Sequence, residues 1–118
     1  MEFSLNESIV KIFEGTNNHD LAEFMKAFSK DARVIDDGQE HNGLDEIVNW
    51  AKQNIFDSNI QMNVVKVIEN DDLVVVTADV DGDFDKTGLP NPLYFDYYFT
   101  VQNNKVIKLE IVFVDQDR

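Results

Sequence analysis

The chain contains no cysteine, few basic residues and no long apolar run. Without cysteine it can form no disulfide bond and can offer no thiolate ligand to a metal ion. Ten lysine and arginine residues against 23 aspartate and glutamate residues give a net charge of −13. Because contacts to phosphate supply most of the affinity for nucleic acid, this charge argues against binding of DNA, RNA or anionic lipid. We therefore expect neither a nucleic acid nor a membrane as a partner.

The N-terminus lacks the features of a secretory signal, since MEFSLNES has neither a basic region nor an apolar core. The apolar runs 73–76 and 111–114 are far shorter than the roughly 20 residues that span a bilayer. Together with the absence of cysteine, these features predict a cytoplasmic protein. At 118 residues, the chain is expected to form a single domain, 1–118, with a core of its own.

Helical periodicity dominates the first half of the chain. Ser4-Leu5-Asn6-Glu7 has the pattern of a capping box at the start of a helix, and Gly15 can end that helix. Asn17 or Asn18 can cap a second helix. The two predicted helices carry apolar stripes with the spacing of a buried face, namely Leu5, Ile9, Ile12 and Phe13 in the first and Leu21, Phe24, Met25 and Phe28 in the second.

A short strand is predicted over Ala32–Asp36, followed by a turn at Asp37-Gly38 and a polar loop that contains His41. A third helix is expected to begin near Gly43. Trp50 lies at the flank of its apolar stripe, from which a side chain can line a cavity. The stripe itself consists of Leu44, Ile47, Val48, Ala51 and Ile55.

The second half of the chain changes to the period of a β-strand. Strands are predicted over 60–69, 73–84, 93–102 and 105–115, with turns at 70–72 and 103–104. Helices followed by hairpin-linked strands are typical of an α+β fold with an antiparallel sheet. In the last strand Ile107, Leu109, Ile111 and Phe113 share one face, and Lys108 and Glu110 lie on the other.

The strand 93–102 is apolar on both faces, so both faces should be covered. Helices can cover only one of them. We therefore predict a homodimer that forms through the sheet and includes Phe95, Tyr97 and Phe99.

Asp79, Asp81, Asp83 and Asp85 follow one another at every second position. A calcium-binding loop that begins at Asp83 would have Tyr94 at position 12, where glutamate is required. A loop that begins at Asp79 would have Phe84 at the glycine position, so neither loop is complete. Alternation along a strand explains the spacing, with all four side chains on one solvated face. We expect no metal site.

Two helices, the segment DARVIDDG, a G-x-D-x-I helix and four long strands together resemble the NTF2-like superfamily, and within it the SnoaL-like and ketosteroid-isomerase-like proteins. The resemblance implies a cystatin-like α+β cone. Three N-terminal helices would pack on a curved antiparallel sheet around an apolar pocket, usually in a dimer. It also implies that Asp36 is a general base, that Asp96 is a protonated carboxyl that donates a hydrogen bond, and that Trp50 lines the pocket.

The sequence departs from the ketosteroid-isomerase pattern at two positions. The tyrosine of the oxyanion hole should fall near Ile12 and a supporting tyrosine near Ala51, and neither residue is a donor. Tyr94 or Tyr98 could supply a hydroxyl from the sheet instead. The pocket is expected to include His41, Leu109, Ile111 and Phe113 as further ligand contacts.

The resemblance implies two possible functions. One is a cofactor-free isomerase, dehydratase or cyclase that acts on a small apolar ligand with a carbonyl or hydroxyl group. The alternative is a non-catalytic ligand-binding or dimeric association module whose pocket is filled by its own side chains. The volume of the pocket distinguishes an open site from a filled one.

Overall fold

A computed structural model describes residues 6–114 of the chain. In chain order, its elements are α1 (Glu7–Asn17), α2 (Leu21–Met25), β1 (Phe28–Asp36), β2 (Gln39–Asn42), α3 (Gly43–Ala51), a π-helical turn (Lys52–Phe56), β3 (Gln61–Asn70), β4 (Leu73–Asp81), β5 (Tyr94–Gln102) and β6 (Lys105–Phe113).

The six strands form one sheet in the order β2-β1-β6-β5-β4-β3. All neighbouring pairs are antiparallel except β1 and β6, which run parallel. The sheet curves without closing, and the helices pack against its concave face. The predicted α+β class is confirmed.

The core lies between the concave face of the sheet and the three helices. Phe13 of α1 packs edge-on against Tyr97 and Phe99 of β5, with ring centroids 5.6 and 5.9 Å apart. Phe24 of α2 is fully buried beside Trp50 of α3. Burial of each such ring contributes roughly 2–3 kcal/mol through the hydrophobic effect.

This arrangement corrects the predicted dimer contact. Tyr97 and Phe99 are 3% and 0% exposed within a single chain, and Phe95 shares their face of the sheet. The more apolar face of β5 packs against the helices because that arrangement removes more apolar surface from water. A dimer through the sheet would have to use the opposite face, which carries Tyr94 and Tyr98, and it stays a prediction.

Several element boundaries differ from those predicted. The second helix ends at Met25, and Phe28 begins β1 and pairs with Val106 of β6. Residues 39–42 form β2, a short hairpin partner of β1, rather than a loop. β1 is longer than its apolar pattern indicates because Phe28 already pairs with β6; residues 29–32 lie between this pair and the next one at Arg33, where the register shifts.

The start of α1 and the acidic segment also differ. Asn6 is the N-cap, and its side chain accepts a hydrogen bond from the Ser8 N–H; Ser4, Leu5 and Asp115 lie outside the described residues. β4 ends at Asp81, so the expected single acidic face does not extend through residues 83–85. There the carboxylates accept local hydrogen bonds instead, Asp83 from the Asn59 side chain and Asp85 from the Thr87 N–H.

Asn17 joins the end of α1 to β3. Its Nδ2 donates to the Met62 carbonyl oxygen at 2.8 Å, and its Oδ1 accepts from the Met62 N–H at 2.7 Å. The amide side chain therefore takes the place of a neighbouring strand at the edge of the sheet. This contact fixes α1 relative to β3.

We expect Asn17→Ala to lower the free energy of unfolding by about 1–3 kcal/mol, because it leaves two half-buried backbone groups of Met62 without partners. Urea denaturation followed by circular dichroism measures the change. Asn18→Ala is the matched control, because Asn18 is exposed and its side chain makes no such contact. Equal losses in the two variants would contradict this role of Asn17.

Candidate functional site

A cavity of about 720 Å³ opens between the concave face of the sheet, the end of α3 with its π-helical turn, and the loop 82–93 that connects β4 to β5. Most of its wall is apolar. The lining residues are Asp36, Asp37, Gly38, Trp50, Asn54, Ile55, Ser58, Ile60, Met62, Val80, Phe84, Leu89, Leu93, Phe95, Tyr97, Glu110, Ile111, Val112 and Phe113.

Asp36 and Tyr97 lie in one row across three strands. Asp36 of β1 pairs with Ile111 of β6, and Ile111 pairs with Tyr97 of β5. Residues that pair directly across neighbouring strands project from the same face of a sheet. With strands about 4.8 Å apart, the Cα atoms of Asp36 and Tyr97 are roughly 10 Å apart, and both side chains face the cavity.

Trp50 holds the carboxyl group of Asp36. Its Nε1–H donates to Asp36 Oδ2 at 2.9 Å. The indole is 3% exposed and packs between elements, with ring centroids 6.4 Å from Phe24 and 5.9 Å from His41. A buried indole N–H normally requires an acceptor, so this bond fixes both side chains.

Tyr97 lines the cavity from β5. The residue is 3% exposed, and no hydrogen bond of its hydroxyl is found within residues 6–114. Burial and, to a smaller extent, the negative charge of Asp36 raise the pKa of Tyr97 above its usual value.

The π-helical turn supplies a polar group on the helix side of the cavity. Asn54 Nδ2 donates to the Trp50 carbonyl oxygen at 3.0 Å. Since only the amino group of an amide can donate to a carbonyl, Asn54 Oδ1 remains as an acceptor. Asp36 and Asn54, each bonded to Trp50, are therefore the two acceptor-bearing neighbours of Trp50 in the lining.

Four of the predicted site residues line the cavity: Asp36, Trp50, Ile111 and Phe113. Leu109, two residues before Ile111 on β6, is not part of the lining; it is 1% exposed and pairs with Phe99 in the core. His41 packs against the Trp50 ring and is not part of the lining.

Asp96, Tyr94 and Tyr98 project from the opposite face of the sheet, so the expected pair of carboxyl groups in one cavity does not form. Asp96 alternates with Tyr97 along β5, and its Oδ1 accepts a hydrogen bond from the Thr77 hydroxyl. This partner explains how a polar residue is accommodated in an otherwise aromatic strand.

Tyr97 was missed as a cavity residue in the sequence, although a signal for it was present. The positions 95, 97, 99 and 101 form the more apolar of the two faces of β5, and they match the apolar alternation of β6. Assigning the more apolar face to the helices would have placed Tyr97 inside.

Within residues 6–114, no group of three or more His, Cys, Asp or Glu side chains is placed to hold a metal ion. None of the helices in the same range is long and apolar enough to cross a membrane.

Solved structures with the same architecture come from several bacteria. A proposed polyketide cyclase from Sinorhizobium meliloti is 24% identical, with a TM-score of 0.81 and coverage of 91% of this chain and 94% of that one. A proposed ketosteroid isomerase from Kribbella flavida is 12% identical (TM-score 0.77; coverage 96% and 79%). An NTF2-like protein of unknown function from Cytophaga hutchinsonii is 10% identical (TM-score 0.75; coverage 97% and 93%).

These similarities show the fold, which is the NTF2-like cone. The SnoaL-like domain family matches residues 9–109, and the chain therefore belongs to the SnoaL-like family. A comparison with curated protein sequences gives no match.

The raised pKa of Tyr97 predicts how stability depends on pH. The folded protein keeps the phenol protonated at a pH where the unfolded chain loses the proton. The contribution of Tyr97 is therefore complete below pH about 10 and is lost as the pH rises further. We expect the free energy of unfolding to fall less steeply above pH about 10 in Tyr97→Phe than in the wild type.

Denaturant unfolding at a series of pH values measures this slope. Asp36→Asn is expected to keep the wild-type slope just above pH about 10 and to end it at a lower pH, because it removes the smaller of the two causes that raise the pKa of Tyr97 and leaves burial in place. An unchanged slope in Tyr97→Phe would show that the phenol does not titrate differently in the folded and unfolded states.

Proposed function

We propose that the chain binds a small, largely apolar ligand with a carbonyl or hydroxyl group and catalyses a cofactor-free proton transfer on it. Asp36 acts as the general base, and the Tyr97 hydroxyl donates a hydrogen bond to the ligand oxygen. The observation that carries this proposal is the placement of Asp36 and Tyr97 on either side of Ile111, facing one cavity of about 720 Å³.

The proposed steps follow from the chemistry of the two groups. Asp36 removes a proton from the carbon next to the carbonyl, and negative charge develops on the ligand oxygen. The neutral Tyr97 hydroxyl stabilises this charge by a hydrogen bond. Return of the proton from Asp36 to a different carbon gives isomerisation. Loss of a hydroxyl group from the next carbon, which takes the proton from Asp36 and leaves as water, gives dehydration; attack of the enolate carbon on a second carbonyl, whose oxygen takes that proton, gives cyclisation.

The surroundings of Asp36 support a role as a base. The Trp50 N–H holds one carboxylate oxygen at 2.9 Å and leaves Oδ1 to receive a proton. A fixed carboxylate reduces the entropy that is lost in the reaction. The hydroxyl missing at Ile12 is replaced in this proposal by Tyr97, which comes from the sheet rather than from the first helix.

The relatives support the class of reaction more than the substrate. The proposed cyclase and the proposed isomerase share the fold, and both names imply acid–base chemistry on carbonyl compounds. Because both are less than 25% identical to this chain, the choice of reaction and ligand rests on the cavity itself.

The alternative is a ligand-binding module without catalysis. It is favoured by the position of Asp96 on the opposite face of the sheet, so the pair of Asp36 and Asp96 expected from the ketosteroid-isomerase resemblance does not form in the cavity. An association module with a filled cone is less well supported, because the volume exceeds the roughly 300 Å³ at which ligand sites begin.

Ligand binding can be followed through Trp50, the single tryptophan of the chain. We expect saturable quenching of its fluorescence on titration with at least one of a panel of steroids and cyclic ketones. Tyr97→Phe should weaken binding by about 3- to 10-fold, because one hydrogen bond to the ligand is lost. No quenching across the panel would argue against an open site of this kind.

Proton transfer can be tested before the natural substrate is known. In D₂O, a ketone that binds should exchange the hydrogens next to its carbonyl for deuterium, and proton NMR measures the rate. We expect Asp36→Asn to slow the exchange by about 10²–10⁴-fold and Tyr97→Phe by about 10²–10³-fold.

Asp96→Asn is the matched control, because it makes the same chemical change in a residue outside the cavity. Its exchange rate should equal that of the wild type. If the ketone binds but Asp36→Asn leaves the exchange rate unchanged, the cavity binds ligand without catalysis by Asp36.

A further inference from the structure

The charges around the cavity are all of one sign. Two of its lining residues, Asp36 and Asp37, are acidic, while Glu110 contributes to the wall from β6 with its side chain on the face opposite to Ile111. No lysine, arginine or histidine is found among the described lining residues. The chain as a whole carries a net charge of −13. A ligand with a carboxylate or phosphate would therefore enter a negative potential with no cationic side chain in the lining to receive it.

Asp36 has a neutral partner and no cationic one within the described part of the chain. Its hydrogen bond comes from the Trp50 indole N–H. Arg33, on the same strand, alternates to the opposite face and pairs with Glu40 at 3.5 Å. His41 packs against the Trp50 ring rather than in the cavity. Asp36 is half-buried, and a ligand that fills the cavity would remove the remaining water from its carboxylate. A cationic group on the ligand can replace that water as the partner of the charge.

The apolar part of the wall is rich in aromatic rings. Trp50, Phe84, Phe95, Tyr97 and Phe113 all line the cavity. The face of an aromatic ring attracts a cation, and the effect is larger where water is excluded. A carboxylate beside several aromatic rings is a combination that suits a protonated amine.

We propose that the cavity prefers a ligand in which a protonated amine is attached to an apolar, aromatic body, and that Asp36 serves as its counter-ion. The ammonium group donates to Asp36 Oδ1 beside the Trp50 ring, and the apolar body occupies the space towards Phe95 and Phe113. This inference rests on the ligand-binding part of the proposed function and does not require proton transfer.

Three probes of nearly equal shape test the preference: naphthylmethylamine, naphthalenemethanol and naphthoate. At pH about 7 they are cationic, neutral and anionic. Isothermal titration calorimetry on the full chain should give a Kd for the amine about tenfold or more below that of the alcohol, with the anion weakest. Equal affinity of the amine and the alcohol would overturn the inference and leave the proposed function standing, whereas failure of all three probes would count against both.

Two variants separate a local counter-ion from the general charge of the chain. Asp36→Asn should abolish the preference for the amine while the alcohol still binds. Asp71→Asn removes the same charge at an exposed turn outside the lining and should leave the preference unchanged. Equal loss in both variants, or no loss in Asp36→Asn, would overturn the role of Asp36.

A measurement on the wild-type protein covers the case in which Asp36→Asn does not fold. Trp50 provides the single indole N–H resonance of the chain. With the amine bound, nuclear Overhauser effects should connect this proton to the ligand methylene group next to the nitrogen. If nuclear Overhauser effects connect the indole proton only to the far end of the naphthalene ring, the ammonium group lies away from Asp36 and the proposal is contradicted.

Discussion

The register of β1 against β6 determines which way Asp36 points, and the cavity depends on it. Asp36 pairs with Ile111, and the preceding residues of β1 pair in step, Val34 with Leu109. A slip by one residue would turn Asp36 to the opposite face and bring Ile35 inside. The fully buried Val34, two residues earlier on the same face, opposes such a slip, because it would have to leave the core.

Trp50 links this register to the helices. Its ring packs against Phe24 of α2, while its N–H binds the carboxylate of β1. One side chain therefore contributes to the core and also fixes the polar group of the cavity. Tyr97 has a similar double position, since Phe13 packs against its ring and the residue lines the cavity. The polar groups of the site are thus held by the same contacts that stabilise the fold.

The α+β class and the five longer strands could be predicted from the sequence, because periodicity and turn residues are local signals. The direction in which Asp36 points depends on the register of β1 against β6, which these signals do not determine. The face assignment of β5 could not be predicted as reliably, because both of its faces carry aromatic side chains and the choice depends on what the helices cover. For this reason Asp96 was expected inside and Tyr97 at a dimer contact. The strand β2 was missed because its residues QEHN are polar and only pairing with β1 holds them in a strand.

The loop 82–93 differs from the rest of the cavity wall in how it is held. It is anchored at a few points, including the hydrogen bond from the Asp83 N–H to the Ser58 carbonyl oxygen, rather than by strand pairing. It nevertheless contributes Phe84, Leu89 and Leu93 to the lining. Asp36 and Tyr97 lie on paired strands, so the loop can change in length and sequence without moving them. The architecture therefore allows the shape of the cavity to diversify independently of Asp36 and Tyr97.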